Sequence, residues 1–306
     1  MGLLRRVSGD TRELLRAGHL IGRGLHNDLV LARREVSADH AVVRWTGSGW
    51  DIRDLGSRNG TFVNAERLLP GVPRDLPPGA VVNFGGAGEV WRLEDAGPPV
   101  TCAALVGGGI VRLAQDELLA LPDDEAPRAL IYPGVDGRWV CEHAESVERL
   151  EDRQVIQVDG RPWQVFIAAP IELTLEPSHV KADIANVKLR FFVSRDEEHV
   201  SLSVVTNGIE LPLGSRSFHY LLLTLARLRL ADGACADLPP ASHGWVYQDE
   251  LLKKLGIDGN KFGVDSFRAR RQLLDAGVEG AAGIIERRPV SRQLRLGVSD
   301  IEIVVE

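Results

Sequence analysis

The chain has 306 residues, 44% apolar and 26% charged, with 36 Lys plus Arg against 43 Asp plus Glu and a formal net charge of -7. This is the profile of a folded chain of two or three domains; it excludes long disordered tracts and a uniformly basic nucleic-acid coat. No apolar run approaches the roughly 18–20 residues of a membrane span. The longest clean stretch, Ala103 to Val111, is broken by three glycines, and the charges scattered through Met1 to Gly22 argue against a secretory signal. The three cysteines, Cys102, Cys141 and Cys235, have neither disulfide nor CxxC spacing, so a reducing cytoplasm is expected.

In chain order, residues 10–95 hold short β-type runs: Leu20-Ile21, Asp28 to Leu31, Ala41 to Trp45, Trp50 to Arg53, Gly60 to Asn64 and Val81 to Phe84. Turn clusters separate them, and no window has a helical period, which predicts a β-sandwich. Gly97-Pro98-Pro99 marks a boundary. Residues 100–170 are again strand-rich: Ala129 to Tyr132, Arg138 to Cys141, Val155 to Val158 and Trp163 to Ala168. This region reads as a shortened copy of the first. Residues 37–43 align with 125–131, Trp50 with Trp139, and Val81 to Phe84 followed by Trp91 with Val155 to Val158 followed by Trp163.

Residues 175–306 differ. Strands are predicted at Leu189 to Val193, Val200 to Val205 and Ile209 to Leu213. Ser217 can cap a helix whose residues Phe218, Leu221, Leu222, Leu225 and Leu228 keep the 3.6 period. After a loop, Ala231 to His243, a short helix over Gln248–Leu255 stops at Gly256, and another over Val264–Ala276 stops at Gly277. Strands Ile284 to Arg288 and Gln293 to Leu296 flank a turn containing Pro289.

One constellation is specific. Gly22-Arg23 is followed by Asn27-Asp28, then Ser37-Ala38-Asp39-His40, then Asp54-Leu55-Gly56-Ser57-Arg58-Asn59-Gly60-Thr61-Phe62-Val63-Asn64. The residue chemistry suits a bound phosphate ester. Arg23 offers a planar, permanently charged donor fork; Ser37 a short hydroxyl; Asn59 a donor and an acceptor for an extended peptide main chain. Gly60 permits a tight loop. The blocks strongly resemble the forkhead-associated (FHA) domain, a phosphothreonine-peptide binder, over about residues 10–95. The resemblance implies that Arg23 and Ser37 contact phosphate, that Asn59 contacts the peptide backbone, and that Gly22, His40 and Gly60 support the loops. Arg58 stands where family members often carry Thr or Ser; it is either a second cation at the phosphate or a solvent side chain. Ala38 replaces a side chain that is commonly polar or basic, so one ligand contact is expected to be missing.

In the second copy, Val111 or Arg112 stands near the arginine position, Glu125 replaces the serine, and the Asn-Gly-Thr loop is absent. A carboxylate there would repel phosphate. This region is therefore expected to be a degenerate FHA-like domain without a phosphate site.

The third region resembles the winged-helix output domain of OmpR/PhoB-type response regulators, through Gly208 to Arg227, Gly244 to Gly256, Val264 to Val278 and Gly283 to Gly297. That implies a third helix in a DNA major groove and a hairpin wing on the backbone. From Leu251 to Arg295, ten bases against five acids leave +5 in an acidic chain. Arg268, Arg271 and Gln272 fall on one side of the third helix, Phe267 and Leu274 on the other, and Arg287, Arg288 and Arg292 on the wing. Arg270 departs from the family, which places an apolar core residue there.

No catalytic constellation is present. The three-glycine run at Gly107 lacks a following lysine, and the eight histidines form neither HExxH nor a ligand cluster. The Cys141 and His143 pair reads as a packed cysteine beside a histidine. No enzyme activity, cofactor, metal, membrane or small-molecule substrate is expected. The expected architecture is an all-β FHA sandwich (1–96), a degenerate FHA-like β domain (97–174) and an α+β winged helix-turn-helix (175–306). The expected function is a cytoplasmic phosphothreonine adaptor and bacterial transcription regulator downstream of a Ser/Thr kinase. Its partners would be a phosphothreonine protein (the kinase or its substrate) and double-stranded DNA. The alternative is a phospho-dependent scaffold whose winged helix binds protein.

Overall fold

The structure is a computed structural model that describes residues 1–86, 88–134, 136–143, 146–168, 182–235, 237–288 and 291–305. Its contacts divide the chain into two units, one built on Met1–Thr101 with Phe166–Glu176, the other on Cys102–Val165 with Pro177–Glu306. The expected boundary at 174/175 lies outside the described residues.

The first unit is a two-sheet sandwich. One sheet has the order Arg12–Leu14, Gly2–Arg6, Val90–Ala96, Val81–Phe84, Thr61–Val63, Glu66–Arg67. The other has the order Leu29–Val30, Gly18–Gly22, Ala41–Trp45, Trp50–Asp54, Arg74–Leu76. Alternation puts Leu4, Ile21, Val43, Ile52, Val82, Phe84, Trp91 and Leu93 in the core between the sheets. The sequence pattern did not reveal strands Gly2–Arg6, Arg12–Leu14 and Val90–Ala96. Each carries so many charges that its alternation shows in only one or two apolar residues, such as Leu4 or Trp91 and Leu93.

The second unit begins with another pair of sheets. One runs Val111–Leu113, Cys102–Leu105, Arg161–Phe166, Val155–Val158; the other runs Leu119–Leu121, Ala129–Pro133, Trp139–His143, Val147–Arg149. Strand for strand this is the order of the first sandwich, with Leu29–Val30, Thr61–Val63 and Glu66–Arg67 removed. The registers agree as well. Trp45 opposite Trp50 corresponds to Pro133 opposite Trp139, and Ile21 opposite Ala41 to Leu121 opposite Ala129. These pairings move the arginine position. Asp123 stands where Arg23 stands, whereas Val111 and Arg112 lie on the strand equivalent to Arg12–Leu14.

The rest of this unit has a four-stranded sheet, Ile209–Ser215, Val200–Thr206, Lys188–Val193, Asp300–Val305, the last pair parallel. Among the described residues three α-helices follow: α1 (His219–Gly233), α2 (Gln248–Leu255) and α3 (Gly259–Asp275). A small sheet, Val246–Tyr247, Gln293–Leu296, Ile285–Arg287, completes it. Ser217 does not cap α1; the cap position is Phe218, without a side-chain hydrogen bond. Helix α3 starts five residues earlier than its apolar period predicts, because Asp258 accepts from the Lys261 N–H and caps it. Gly256 ends α2 in the left-handed conformation, φ +65°. The Pro289 turn lies outside the described residues.

Candidate functional site

The loops at one end of the first sandwich are built around two buried side chains, His40 and Asp54. The His40 Nδ1 accepts from the Ser37 N–H at 3.0 Å, which leaves Nε2 protonated and donating to the Gly60 carbonyl at 3.2 Å. One neutral imidazole thus ties the serine loop to the Asn-Gly-Thr loop. Burial pushes its pKa down, so it stays neutral. Asp54 closes the second loop on itself. Its carboxylate accepts from the Gly56 and Ser57 N–H groups at 2.9 and 2.8 Å and from the Ser57 and Thr61 hydroxyls at 2.6 Å each. Burial alone would raise the carboxyl pKa, but these donors outweigh it and hold the group below its ordinary range.

Upon that base the predicted residues converge. The Arg23 N–H donates to the Ser37 carbonyl at 2.8 Å, fixing the two backbones side by side. The Arg23 side chain is exposed; its Nε donates to the Val36 carbonyl at 3.3 Å, and it enters no ion pair among the described residues. The Ser37 Oγ accepts from the Arg58 N–H at 3.0 Å, so its own proton is free to point outward. The Asn59 amide donates to the Glu35 carbonyl at 2.8 Å and keeps its oxygen and second N–H for a ligand. Arg58 is exposed. Four donor-bearing side chains therefore share one rim, two of them cationic. Gly22 is required by close approach: a Cβ would lie 2.2 Å from the Ala38 carbonyl oxygen. Gly60, at φ +87°, also needs its conformational freedom.

Sequence reasoning gave Asp54 and Asn27 no role, yet both carry the rim. The Asn27 amide bridges the Gly24 and Ala38 carbonyls at 2.9 and 2.7 Å. The readable signal was the Asp54 to Ser57 spacing, which suits a carboxylate folding back on the next amides. From behind, buried Glu89 holds Arg6 and Arg33 at 2.8 and 2.9 Å, pinning the loop that leads to Ser37.

The residues expected to face DNA are not brought together. Arg268 is exposed on α3. Arg271 pairs with Asp275 at 3.0 Å and lies 3.6 Å from Asp116 of the second sandwich. Gln272 turns inward, between His219 at 2.7 Å and the Leu213 carbonyl at 2.9 Å. Arg287 is 6% exposed, ion-paired with Glu142 at 2.9 Å and donating to the Gln248 side chain at 2.6 Å, while Arg288 stacks on Trp245 and Arg292 sits exposed. Phe267 packs with Leu118, Leu130 and Tyr132 of the second sandwich, so α3 is covered there. Arg270, fully buried, bonds Glu142 at 2.8 Å and lies over the Tyr132 ring. Burial alone would raise the Glu142 pKa; Arg270 and Arg287 overcome this and pull it down to about 2. The expected exposed face of Arg268, Arg271 and Gln272 is thus corrected to a single exposed arginine. The reason is that the helix has neighbours on two sides.

The family model of the FHA domain matches residues 19–85. The chain carries an FHA domain in its first sandwich. Over 66 residues it is 42% identical to the transcriptional regulatory protein EmbR of Mycobacterium tuberculosis, covering 22% of this chain and 17% of that protein. Over 66 residues it is 39% identical to the FHA domain-containing protein FhaB of Mycolicibacterium smegmatis, covering 22% of this chain and 41% of that one. The chain therefore spans less than half the length of these relatives. A solved structure of Mycobacterium tuberculosis EmbR with a low-affinity phosphopeptide is 30% identical, with a TM-score of 0.28, over 30% of this chain and 23% of that one. No helix among the described residues is long and apolar enough to cross a membrane.

Proposed function

We propose that the protein is a phosphothreonine-peptide-binding adaptor, with Arg23 and Ser37 on the phosphate, Asn59 on the peptide main chain and Arg58 as a second cation. The observation that carries this reading is the uncommitted donor set at the rim. Among the described residues the terminal Arg23 nitrogens, the Ser37 hydroxyl proton and the remaining Asn59 amide groups stay unpaired beside the hydrogen-bonded His40 and Asp54. A dianionic ester with three acceptor oxygens is the ligand such a set suits. The partner is then a phosphothreonine protein, a Ser/Thr kinase or its substrate. The second sandwich reads as a degenerate FHA-like domain, supported by its strand order and by Asp123 at the arginine position. The third region reads as a winged helix, supported by its order of sheet, three helices and hairpin.

The test uses the full chain, because Arg16 of the first sandwich stacks on Phe166, which a 1–96 fragment would lack. A phosphothreonine peptide should bind and its unphosphorylated twin should not, and Arg23→Ala should abolish the difference. Equal binding of both peptides removes the reading.

For the output, a specific observation favours a scaffold that binds protein over a transcription regulator: α3 is docked on the second sandwich through Phe267, Arg270 and Arg271. On this reading the full chain does not shift double-stranded DNA even at low salt. A salt-sensitive shift that weakens in the joint variant Arg268→Ala, Arg288→Ala would restore DNA binding.

A further inference from the structure

Outside the rim, a second grouping of reactive side chains lies in the second sandwich. Cys141 and His143 are two residues apart on strand Trp139–His143, so both side chains leave the same face. Glu148, on the neighbouring strand, stands opposite Cys141 in register and shares that face. The Cys141 Sγ is 3.3 Å from the His143 Nε2, which is 3.5 Å from the Glu148 Oε1, and all three atoms lie within 4.8 Å of one another.

Hydrogen bonds within the protein serve one side of this trio at a time and leave the half-exposed Glu148 to water. Nε2 carries either one proton or one lone pair. A proton there can go to the sulfur or to the carboxylate, not both. A lone pair can accept from the thiol, but it then faces the carboxylate with nothing to donate. A cation between the three serves all of them. Tetrahedral zinc, with bonds of about 2.3 Å to sulfur and about 2.0–2.2 Å to nitrogen and oxygen, sets S···N at about 3.6 Å, N···O at about 3.4 Å and S···O at about 3.6 Å. The first two separations are within about 0.3 Å of those found. The third closes by rotation of the Glu148 side chain, which is 50% exposed.

We propose that Cys141, His143 and Glu148 bind a divalent cation of the zinc class, with water as fourth ligand, as a structural clasp for this sandwich. Cys141 is fully buried and His143 and Glu148 partly exposed, so the ion would enter past the latter two side chains. The location fits a clasp. By register His143 takes the place of Asp54, at the strand end where the first sandwich ties down its Asn-Gly-Thr loop. The second sandwich lacks that loop, and the ion would join the two strands that remain.

The untagged full chain, stripped of metal, is titrated with Co2+ and then Zn2+. One equivalent of Co2+ should give a thiolate-to-metal charge-transfer band, Zn2+ should displace it, and Zn2+ should raise the Tm. Cys141→Ser and His143→Ala should lose the band; Cys235→Ser, at an exposed cysteine, should keep it. Glu148→Gln, which leaves the buried packing intact, should weaken affinity by about tenfold or more. A folded wild-type chain with no thiolate band overturns the proposal. So does a band that survives His143→Ala or unchanged affinity in Glu148→Gln, and these measurements decide the matter even if Cys141→Ser fails to fold.

Discussion

The two sandwiches keep one strand order and spend their connections differently. In the first, the link from Gly18–Gly22 to Ala41–Trp45 is long enough to carry Arg23, Asn27 and Ser37, and the link from Trp50–Asp54 to Arg74–Leu76 carries Arg58, Asn59 and Gly60. In the second, the equivalent links run only from 122 to 128 and from 144 to 146. The scaffold persists in both because its buried faces do: Val43, Ile52 and Trp91 in one, Ile131, Cys141 and Trp163 in the other. A β-sandwich is thus held by its core, while ligand chemistry sits in loops that can be deleted without unfolding it. The freed surface has another use. The outer face of strand Trp139–His143 presents Glu142 to Arg270 and Arg287, so this sheet serves as a seat for α3.

That contrast can be broken most forcefully at Glu142. Glu142→Ala leaves Arg270 buried without its counter-charge and should cost about 3–5 kcal/mol in denaturant unfolding of the full chain. The loss should fall on the second unit and spare phosphopeptide binding. If phosphopeptide affinity falls as much as stability, the two sandwiches are not separable in function. The Glu142 pKa is depressed, so its contribution is complete above the unfolded value of about 4.3 and is lost as pH falls toward about 2. Acid unfolding of this unit should therefore flatten in that range in the joint variant Glu142→Leu, Arg270→Leu.

Next in size, Arg23→Ala should lower phosphopeptide affinity by about 1.5–3 kcal/mol, the range of a hydrogen bond to a charged group, and Arg23→Lys should recover only part of it. Calorimetric titration of the full chain measures both. Gly22→Ala tests the support instead. Its Cβ would strike the Ala38 carbonyl and should cost about 1–3 kcal/mol of stability in the first sandwich. A smaller effect comes from His40. Its pKa is lowered, so the neutral form belongs to the folded rim, and stability is complete above about 6.5 and declines as pH falls below that value. NMR titration of the His40 ring should show an apparent pKa below the unfolded value, and His40→Gln should flatten the pH slope of amide exchange at Ser37. Smallest of all, Asp123→Arg should leave the second sandwich without phosphopeptide affinity. A restored arginine finds no serine or asparagine loop beside it, and measurable binding would show that the fork alone makes the site.

Much of the rim was legible in the amino-acid sequence. The blocks at Arg23, Ser37 and Asn59 mark three loops, and a β-period marks the strands between them. His40 was legible as a brace because a neutral imidazole bonds in two directions. Asn27 was not, since the Ala38 carbonyl it holds is brought near only by folding, whereas Asp54 left a local trace in its spacing to Ser57. On α3 the helical period located the apolar stripe but not the number of neighbours. Phe267 and Arg270 looked like a core residue and an exception to the pattern; both face the second sandwich.

By itself the amino-acid order determined the local features: strand and helix positions, the glycine-dependent turns and the cationic and hydroxyl groups of the rim, because each depends on residues within a few positions of one another. Only the tertiary structure decided which charges are spent. Glu142 meets Arg270 across 128 residues of chain, and Glu148 meets Cys141 through the register of two strands. Chain distance carries no record of such pairings, because burial and strand register are collective outcomes of packing the whole core.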